Sequence, residues 1–274
     1  PPSGTLPITR TQSTGMRKFI YMRVVFPDRL DEFQTEAEAW AACKTLTDYF
    51  QENSYGRCAF IGTVTPTLVL PRSEAWYIQD YNTTGSNSPI MNDSREAARA
   101  AGFPADDYQH FVCIYSGGPG SFGGLGSVNG GSTWLKSTSV GTFQHEFGHN
   151  VGVWHSNYWN TSGASVTGPG ANVEYGHILD VMGSSGSGGH FNASMKEQLL
   201  WLTPEVYHTA QLSGTYRIFQ TDQVNQDGGR FYGLRVAKDA DRDYWVEFRQ
   251  RHSTNPWYHN GATINWSPWG HGTG

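Results

Sequence analysis

The stretch "HEFGHNVGVWH", from His145 to His155, decides the expected fold, because it gathers three histidines and a carboxylate within eleven residues. His145 and His149 are four residues apart, so on a helix their side chains lie one above the other and can bind one metal ion. Glu146 lies at the edge of the same helix face. A continuous helix would carry His155 ~15 Å away from His145, too far to share an ion. The helix is therefore predicted to end near Gly152, a residue that tolerates the required turn.

The type and number of these side chains predict a catalytic zinc site. Three neutral imidazoles, from His145, His149 and His155, leave one tetrahedral position open, which is typical of catalytic rather than structural zinc. Zinc lowers the pKa of a bound water towards ~7 and polarises a carbonyl group. Glu146 is expected to take the proton of that water and pass it to the leaving amine, which hydrolyses a peptide bond. The alternatives are three histidines on a solvated surface and a structural zinc site; the second fits poorly with a carboxylate beside the ligands.

The segments before this motif show strand and helix patterns. "KFIYMRVVF" (Lys18 to Phe26) is predicted as a buried strand, and Thr35 and Glu38 form a capping-box pattern that opens a helix. One face of that helix is predicted to be buried, and it consists of Trp40, Cys43, Leu46 and Phe50. Further strands are predicted near "CAFIGTVTPTLVL", at "HFVCIY" and around Ser127 to Leu135. Together these elements predict the start of an α/β sandwich rather than an all-helical or all-β fold.

The zinc motif is predicted to lie on a helix from Val140 to Gly152, whose apolar stripe faces the sheet (Val140, Phe143, Phe147 and Val151). A polar loop is expected from Tyr158 to Gly170, and a last helix is expected between an N-cap at Asn192 and Pro204. Hairpin patterns follow in "QLSGTYRIF", "RFYGLRVA" and "DYWVEFRQ". We therefore expect a catalytic domain at residues 1–205 and a β-rich domain at 206–274. Because "WGHGTG" is untypical of a domain end, the second domain is expected to be incomplete.

The composition narrows the classes of protein. Charged residues make up 16% of the chain, which also holds 33 glycines and 10 tryptophans, and this favours a secreted, loop-rich protein. A formal charge of −5 without a basic run argues against a nucleic-acid partner. No apolar segment approaches the ~20 residues that span a bilayer, so no membrane span is expected. The protein is expected to be a monomer. Cys43 and Cys58 could form a disulfide, or all three cysteines, including Cys113, could be buried thiols.

The same residues resemble a known family. H-E-x-x-H-x-x-G-x-x-H is the signature of the metzincin metallopeptidases, which carry a methionine turn downstream, and "DVMGSS" with Met182 is similar to that turn. "HEFGHNVGVWHS", "EYGHILDVMG" and "FNASMKEQLLWL" together resemble the gametolysin-type peptidases, over roughly residues 15 to 265. The resemblance implies an α+β fold, in which a catalytic domain with a twisted mixed sheet, an active-site helix and a methionine turn is followed by a β-rich C-terminal domain. It implies that Met182 packs beneath the zinc site. It also implies a secreted endopeptidase that acts on extracellular or cell-wall glycoproteins.

Other features qualify this interpretation. Ser184 stands where astacins carry a tyrosine that can be an extra zinc ligand, and Tyr175 and His177 are expected to line the substrate pocket or simply to pack, with stabilisation of the oxyanion as the alternative. "DADRD" (Asp239 to Asp243) lacks the glycine and distal glutamate of an EF-hand loop. An acidic hairpin turn is therefore expected there, and the sequence does not support a calcium site.

Two rival functions are an extracellular binding protein with a vestigial zinc site and a zinc amidase that acts on a non-protein amide.

Overall fold

The computed structural model describes residues 12–163, 165–166, 168–186, 189–251 and 260–267, and it has an α+β fold. Contacts divide the chain into two units. The first unit comprises Gly15–Gln51 and Cys58–Asn150, and the second comprises Glu52–Arg57 with the described residues of Pro1–Thr14 and Val151–Gly274. The domain boundary expected at residue 206 stays a prediction. The segment "WGHGTG" lies outside the described residues.

A five-stranded sheet forms the centre of the first unit. Its strands are β1 (Gly15–Val25), β2 (Cys58–Val69), β3 (His110–Ile114), β4 (Gly124–Gly126) and β5 (Ser132–Leu135), in the order β2-β1-β3-β5-β4. β4 runs antiparallel to β5, whereas the other neighbours are parallel, so the sheet is mixed. Every residue from Phe19 to Val25 is buried, as expected for a strand covered on both faces. The strand patterns predicted for β1, β2, β3 and β5 are confirmed.

Helix α1 (Glu36–Asn53) follows β1 and begins with the predicted capping box. The Thr35 N–H donates to the Glu38 carboxylate over 2.9 Å, and the Glu38 N–H donates to Thr35 Oγ1 over 3.3 Å. The predicted burial of Trp40 is wrong, because its side chain is 45% exposed while Ala39 is fully buried. Successive helical residues are rotated by about 100°, so a buried face centred on Ala39 leaves Trp40 at its flank.

Two helices between β2 and β3 were not predicted. They are α2 (Glu74–Thr84), which starts at an Ser73 N-cap, and α3 (Ser88–Ala100). Tyr77, Ile90, Met91 and Ala98 from these helices join the buried cluster on one side of the sheet. Their burial completes the core of the first unit.

Helix α4 (Val140–Val151) carries His145, Glu146 and His149, as predicted. Phe143, Phe147 and Val151 are buried, and the rings of Phe143 and Phe147 lie 6.1 and 5.3 Å from the ring of Phe19 on β1. This apolar stripe fixes the helix against the sheet, so His145 and His149 are held on the helix face that turns away from it.

The second unit begins with a two-stranded hairpin, β6 (Tyr158–Thr161) and β7 (Gly170–Val173). The polar loop predicted from Tyr158 to Gly170 is therefore wrong at both of its ends. Helix α5 (Ala193–Gln198) has the predicted N-cap, since Asn192 Oδ1 accepts from the Met195 N–H over 3.0 Å. The helix ends at Gln198, well before Pro204, so it is shorter than predicted.

A four-stranded sheet supplies the β-rich part of this unit. It contains β8 (His208–Ala210), β9 (Leu234–Ala237), β10 (Asp243–Glu247) and β11 (Thr263–Ser267), in the order β11-β10-β9-β8. β9 and β10 form the predicted hairpin, and Asp239 in its acidic turn pairs with Lys238 and Arg242. The hairpin predicted in "QLSGTYRIF" is wrong, because residues 211–219 form no strand.

The state of the cysteines decides between the two alternatives given for them, and the helices bear on the expected absence of a membrane span. Cys43, Cys58 and Cys113 are buried free thiols, so the disulfide alternative is wrong. Burial raises the pKa of Cys43 and of Cys58 to about 12, which keeps both thiols protonated. In the described part of the chain, none of the helices combines the length and the apolar character needed to cross a bilayer.

Candidate metal centre

His145, His149 and His155 lie close enough to bind one metal ion. One ring nitrogen from each lies within 4.8 Å of those of the other two. Nitrogens that bind a tetrahedral ion at ~2.0–2.1 Å are ~3.4 Å apart, so small side-chain rotations complete the site. The rings of His145 and His149 are 4.9 Å apart and nearly perpendicular, as expected for neighbouring ligands on one helix face. Three imidazoles are a donor set that suits zinc, so the residues fit the expected ion.

Gly152 lies where α4 ends and the chain bends towards His155. Its φ is +118°, a conformation that residues with a Cβ rarely adopt. The last helical residue is Val151, and His155 follows after only three further residues. The bend therefore brings His155 back to His145 and His149, whereas a continuous helix would separate them.

Glu146 lies against the edge strand β4, where two glycines permit a close approach. A Cβ on Gly124 would lie 2.6 Å from Glu146 Oε1, and one on Gly126 would collide with the Glu146 carbonyl. Glu146 is only 6% exposed. This burial raises the pKa of Glu146 to about 8, and a hydrogen bond from the Gly126 N–H acts in the opposite direction. The strand "GLG" thus creates the space and the donor that hold this carboxylate.

Hydrogen bonds fix the end of α4 against the segment that joins β4 to β5. The Asn129 N–H donates to the His149 carbonyl over 2.8 Å. The buried Asn150 accepts from Thr133 Oγ1 over 2.8 Å and donates to the Ser127 carbonyl over 3.1 Å. Because buried polar groups are costly unless paired, this network defines the position of His149 closely.

His155 has two close neighbours, of which sequence analysis named Tyr175 as a candidate pocket residue and missed Glu174. Its Nδ1 lies 2.7 Å from Glu174 Oε1, and its ring centroid lies 3.9 Å from that of Tyr175. Glu174 and Tyr175 follow directly after β7.

The segment around Met182 is bonded to the residue that follows His155. The Ser156 N–H donates to the Met182 carbonyl over 2.8 Å, and the side chain of Met182 is fully buried. Asp180 closes the turn, since it accepts from the N–H groups of Met182 and Asn192 over 2.8 and 2.7 Å. Burial raises the pKa of Asp180, while His177 and these donors act in the opposite direction. The backbone of the turn at Met182 therefore supports the segment that contains His155 and Ser156.

Tyr175 and His177, both expected to line the substrate pocket or simply to pack, lie in different surroundings. Tyr175 is 42% exposed and stacks on His155, so it is part of the site's surface. His177 Nε2 lies 2.9 Å from Asn265 Oδ1, and its Nδ1 accepts from the Leu179 N–H over 3.3 Å. Burial lowers the pKa of His177, which favours the neutral ring. With both nitrogens engaged, His177 is placed to pack, and its role in a pocket stays a prediction.

No family model matches the sequence, and no curated protein matches it. Among solved structures, one match is described as "Structure of a chaperone-substrate complex". It is 15% identical, with a TM-score of 0.37, and the alignment covers 69% of this chain and 35% of that chain. The matched region thus spans about a third of that protein.

Proposed function

We propose that this protein is a secreted, zinc-dependent endopeptidase that hydrolyses peptide bonds of extracellular or cell-wall (glyco)proteins. The observation that carries the proposal is the approach of three imidazole nitrogens to within 4.8 Å of one another, with Glu146 next to the first ligand. When bound, zinc would supply Lewis acidity that polarises the substrate carbonyl and makes a water acidic at neutral pH.

Glu146 is the group that would move the proton. A bound cation beside Glu146 would favour its ionised form, against the effect of burial. The carboxylate would then take a proton from the attacking water and return it to the amine that leaves, so that one residue serves both transfers. The N–H of Gly126 binds this carboxylate and limits its orientations, and Gly124 leaves room for it beside β4. A carboxylate held this way reaches the water without occupying a ligand position.

The metzincin-like architecture belongs to the same proposal. It is supported by the chain order, in which a mixed sheet is followed by a helix with two ligands, a bend at Gly152 and a buried methionine turn at Met182. The hydrogen bond between Ser156 and Met182 supports a role of that turn in holding the third ligand. Secretion and the glycoprotein substrates follow from the family resemblance and the composition.

The proposal is tested by digestion of a denatured protein substrate. We expect cleavage by the purified protein, its loss after removal of metal with a chelator, and its recovery with one equivalent of zinc. A peptide library and a panel of simple amides distinguish the rivals, since a zinc amidase would act only on the amides. A protein that binds zinc and cleaves neither class of substrate would contradict the proposed activity.

A further inference from the structure

His155 is contacted by two successive side chains of the second unit. Glu174 Oε1 lies 2.7 Å from Nδ1, and the ring of Tyr175 lies 3.9 Å from the imidazole, tilted by 38°. The first contact fixes the ring's rotation through a directional hydrogen bond, and the second restricts movement of the ring along its normal. His155 is therefore held on two sides without any help from a metal.

The backbone that presents these two side chains is tightly constrained. Tyr175 adopts a φ of +60°, which is unusual for a residue with a large side chain, and its N–H donates to Asn157 Oδ1 over 3.1 Å. A Cβ on Gly176 would lie only 2.6 Å from the Cβ of Tyr158 on β6. Strained backbone conformations of this kind occur where the surrounding structure determines a functional geometry.

We propose that Glu174 and Tyr175 are positioning residues for the third metal ligand, in which Glu174 accepts the Nδ1–H of His155 and so leaves Nε2 unprotonated to bind the ion. This inference rests on the proposed metal centre. A carboxylate that binds the second nitrogen of a ligating histidine fixes both its tautomer and its orientation. Glu174 acts through His155 and does not touch substrate or metal itself.

A structural role alone would not explain this arrangement. The Glu174 side chain is 62% exposed, and an exposed ion pair contributes little to folding stability. The consequence of the contact is instead the choice of nitrogen on His155, since a neutral imidazole otherwise distributes its proton between two sites. The two roles differ in a spectroscopic property that can be measured without metal.

The first experiment records the nitrogen NMR spectrum of metal-free protein labelled at histidine, at a pH where the rings are neutral. His155 is assigned by comparison with His155→Asn. We expect the signals of a protonated Nδ1 and an unprotonated Nε2 in the wild type, and a mixture of tautomers in Glu174→Ala. A wild-type ring protonated at Nε2, or an unchanged tautomer in Glu174→Ala, would overturn the proposal.

The second experiment measures the dissociation constant for zinc by competition with a chromophoric chelator. Glu174→Ala should weaken binding by ~10–100-fold, and Glu174→Gln should recover part of the loss because its amide oxygen still accepts a hydrogen bond. Tyr175→Ala should also weaken binding, whereas Tyr175→Phe keeps the ring and should not. Asp31→Ala, which removes another exposed carboxylate, is the matched control.

The two experiments separate the failure of this inference from that of the proposed function. If the wild type binds no zinc, the metal centre is wrong, while the tautomer of His155 still decides the role of Glu174. If the wild type binds zinc and Glu174→Ala binds it equally tightly, the proposed positioning role is wrong and the metal centre stands.

Discussion

The substitution Gly152→Ala tests whether the bend after α4 creates the metal site. At a φ of +118°, an added Cβ strains the backbone. Such conformations cost about 1–3 kcal/mol for a residue other than glycine. In metal-free protein the chain can relieve this strain by turning away, and His155 is only three residues further along. Binding of zinc by all three histidines requires the bent conformation. The free energy of the strain therefore reduces the free energy of zinc binding.

The expected size of the effect follows from that strain. Since ~1.4 kcal/mol changes an equilibrium constant tenfold, about 1–3 kcal/mol weakens zinc binding about 5- to 140-fold. Gly102→Ala is the matched control, because Gly102 also has a positive φ, of +91°, and open space at its Cβ. It lies in the loop after α3, so its strain should lower the free energy of unfolding and leave zinc binding unchanged.

Both variants are compared by urea unfolding of the metal-free protein and by competition for zinc with a chromophoric chelator. The expected result is that the zinc dissociation constant rises only in Gly152→Ala. If Gly152→Ala binds zinc as tightly as Gly102→Ala, the bend does not position His155 and the argument from its backbone conformation fails.

Two further predictions concern Glu146 and a buried lysine. Gly124→Ala should displace Glu146 and lower kcat while zinc stays bound, whereas Gly123→Ala, whose Cβ would meet nothing closer than 3.8 Å, should be neutral; equal cleavage rates would contradict this. Burial and then Arg249 lower the pKa of Lys196 from its ordinary 10.5 to about 7. The unfolded chain therefore binds the extra proton between these values, so Lys196 makes the free energy of unfolding rise with pH from 7 to 8.5, below the ordinary cysteine pKa of 9.0, by up to ~1.4 kcal/mol per pH unit. Glu146, whose pKa is raised to about 8, acts with the opposite sign over the same range. In urea unfolding, the slope of the unfolding free energy against pH should therefore be more positive in the wild type than in Lys196→Met, and equal slopes would contradict the shift.

The elements that could be predicted are those whose defining residues all lie within one short segment of the sequence. The capping box of Thr35 and Glu38 and the apolar stripe of α4 are of this kind. The capping box is confirmed, and so is the stripe for Phe143, Phe147 and Val151, whereas Val140 is only half-buried. Helix α2 escaped prediction because Tyr77 is its only buried residue, so it has no apolar stripe. Helix α3 does bury one face, but two of the four buried residues, Ser94 and Ala98, are small and give a weak apolar pattern. Their positions are determined by tertiary packing, which overrides weak local preference.

The clustering of His145, His149 and His155 could be predicted, because their spacing along one helix and one bend determines how close they lie. The contact of Glu174 with His155 could not be predicted, because it depends on the pairing of Tyr158 with Val173 across the β6–β7 hairpin. That hairpin is short and surrounded by glycine and serine, so its strands lack a clear alternating pattern. The sequence did not indicate the role of the β4 glycines either, because their close approach to α4 is visible only in three dimensions.

The most direct test of the account compares Glu146→Gln with His149→Ala, with zinc content and cleavage of a denatured protein measured on the same samples. Glu146→Gln should keep one zinc per chain, because all three imidazoles stay in place, and should lose ~10²–10⁴ in cleavage rate or more. His149→Ala should lose zinc and activity together. Near wild-type cleavage by zinc-loaded Glu146→Gln would contradict the proposed mechanism.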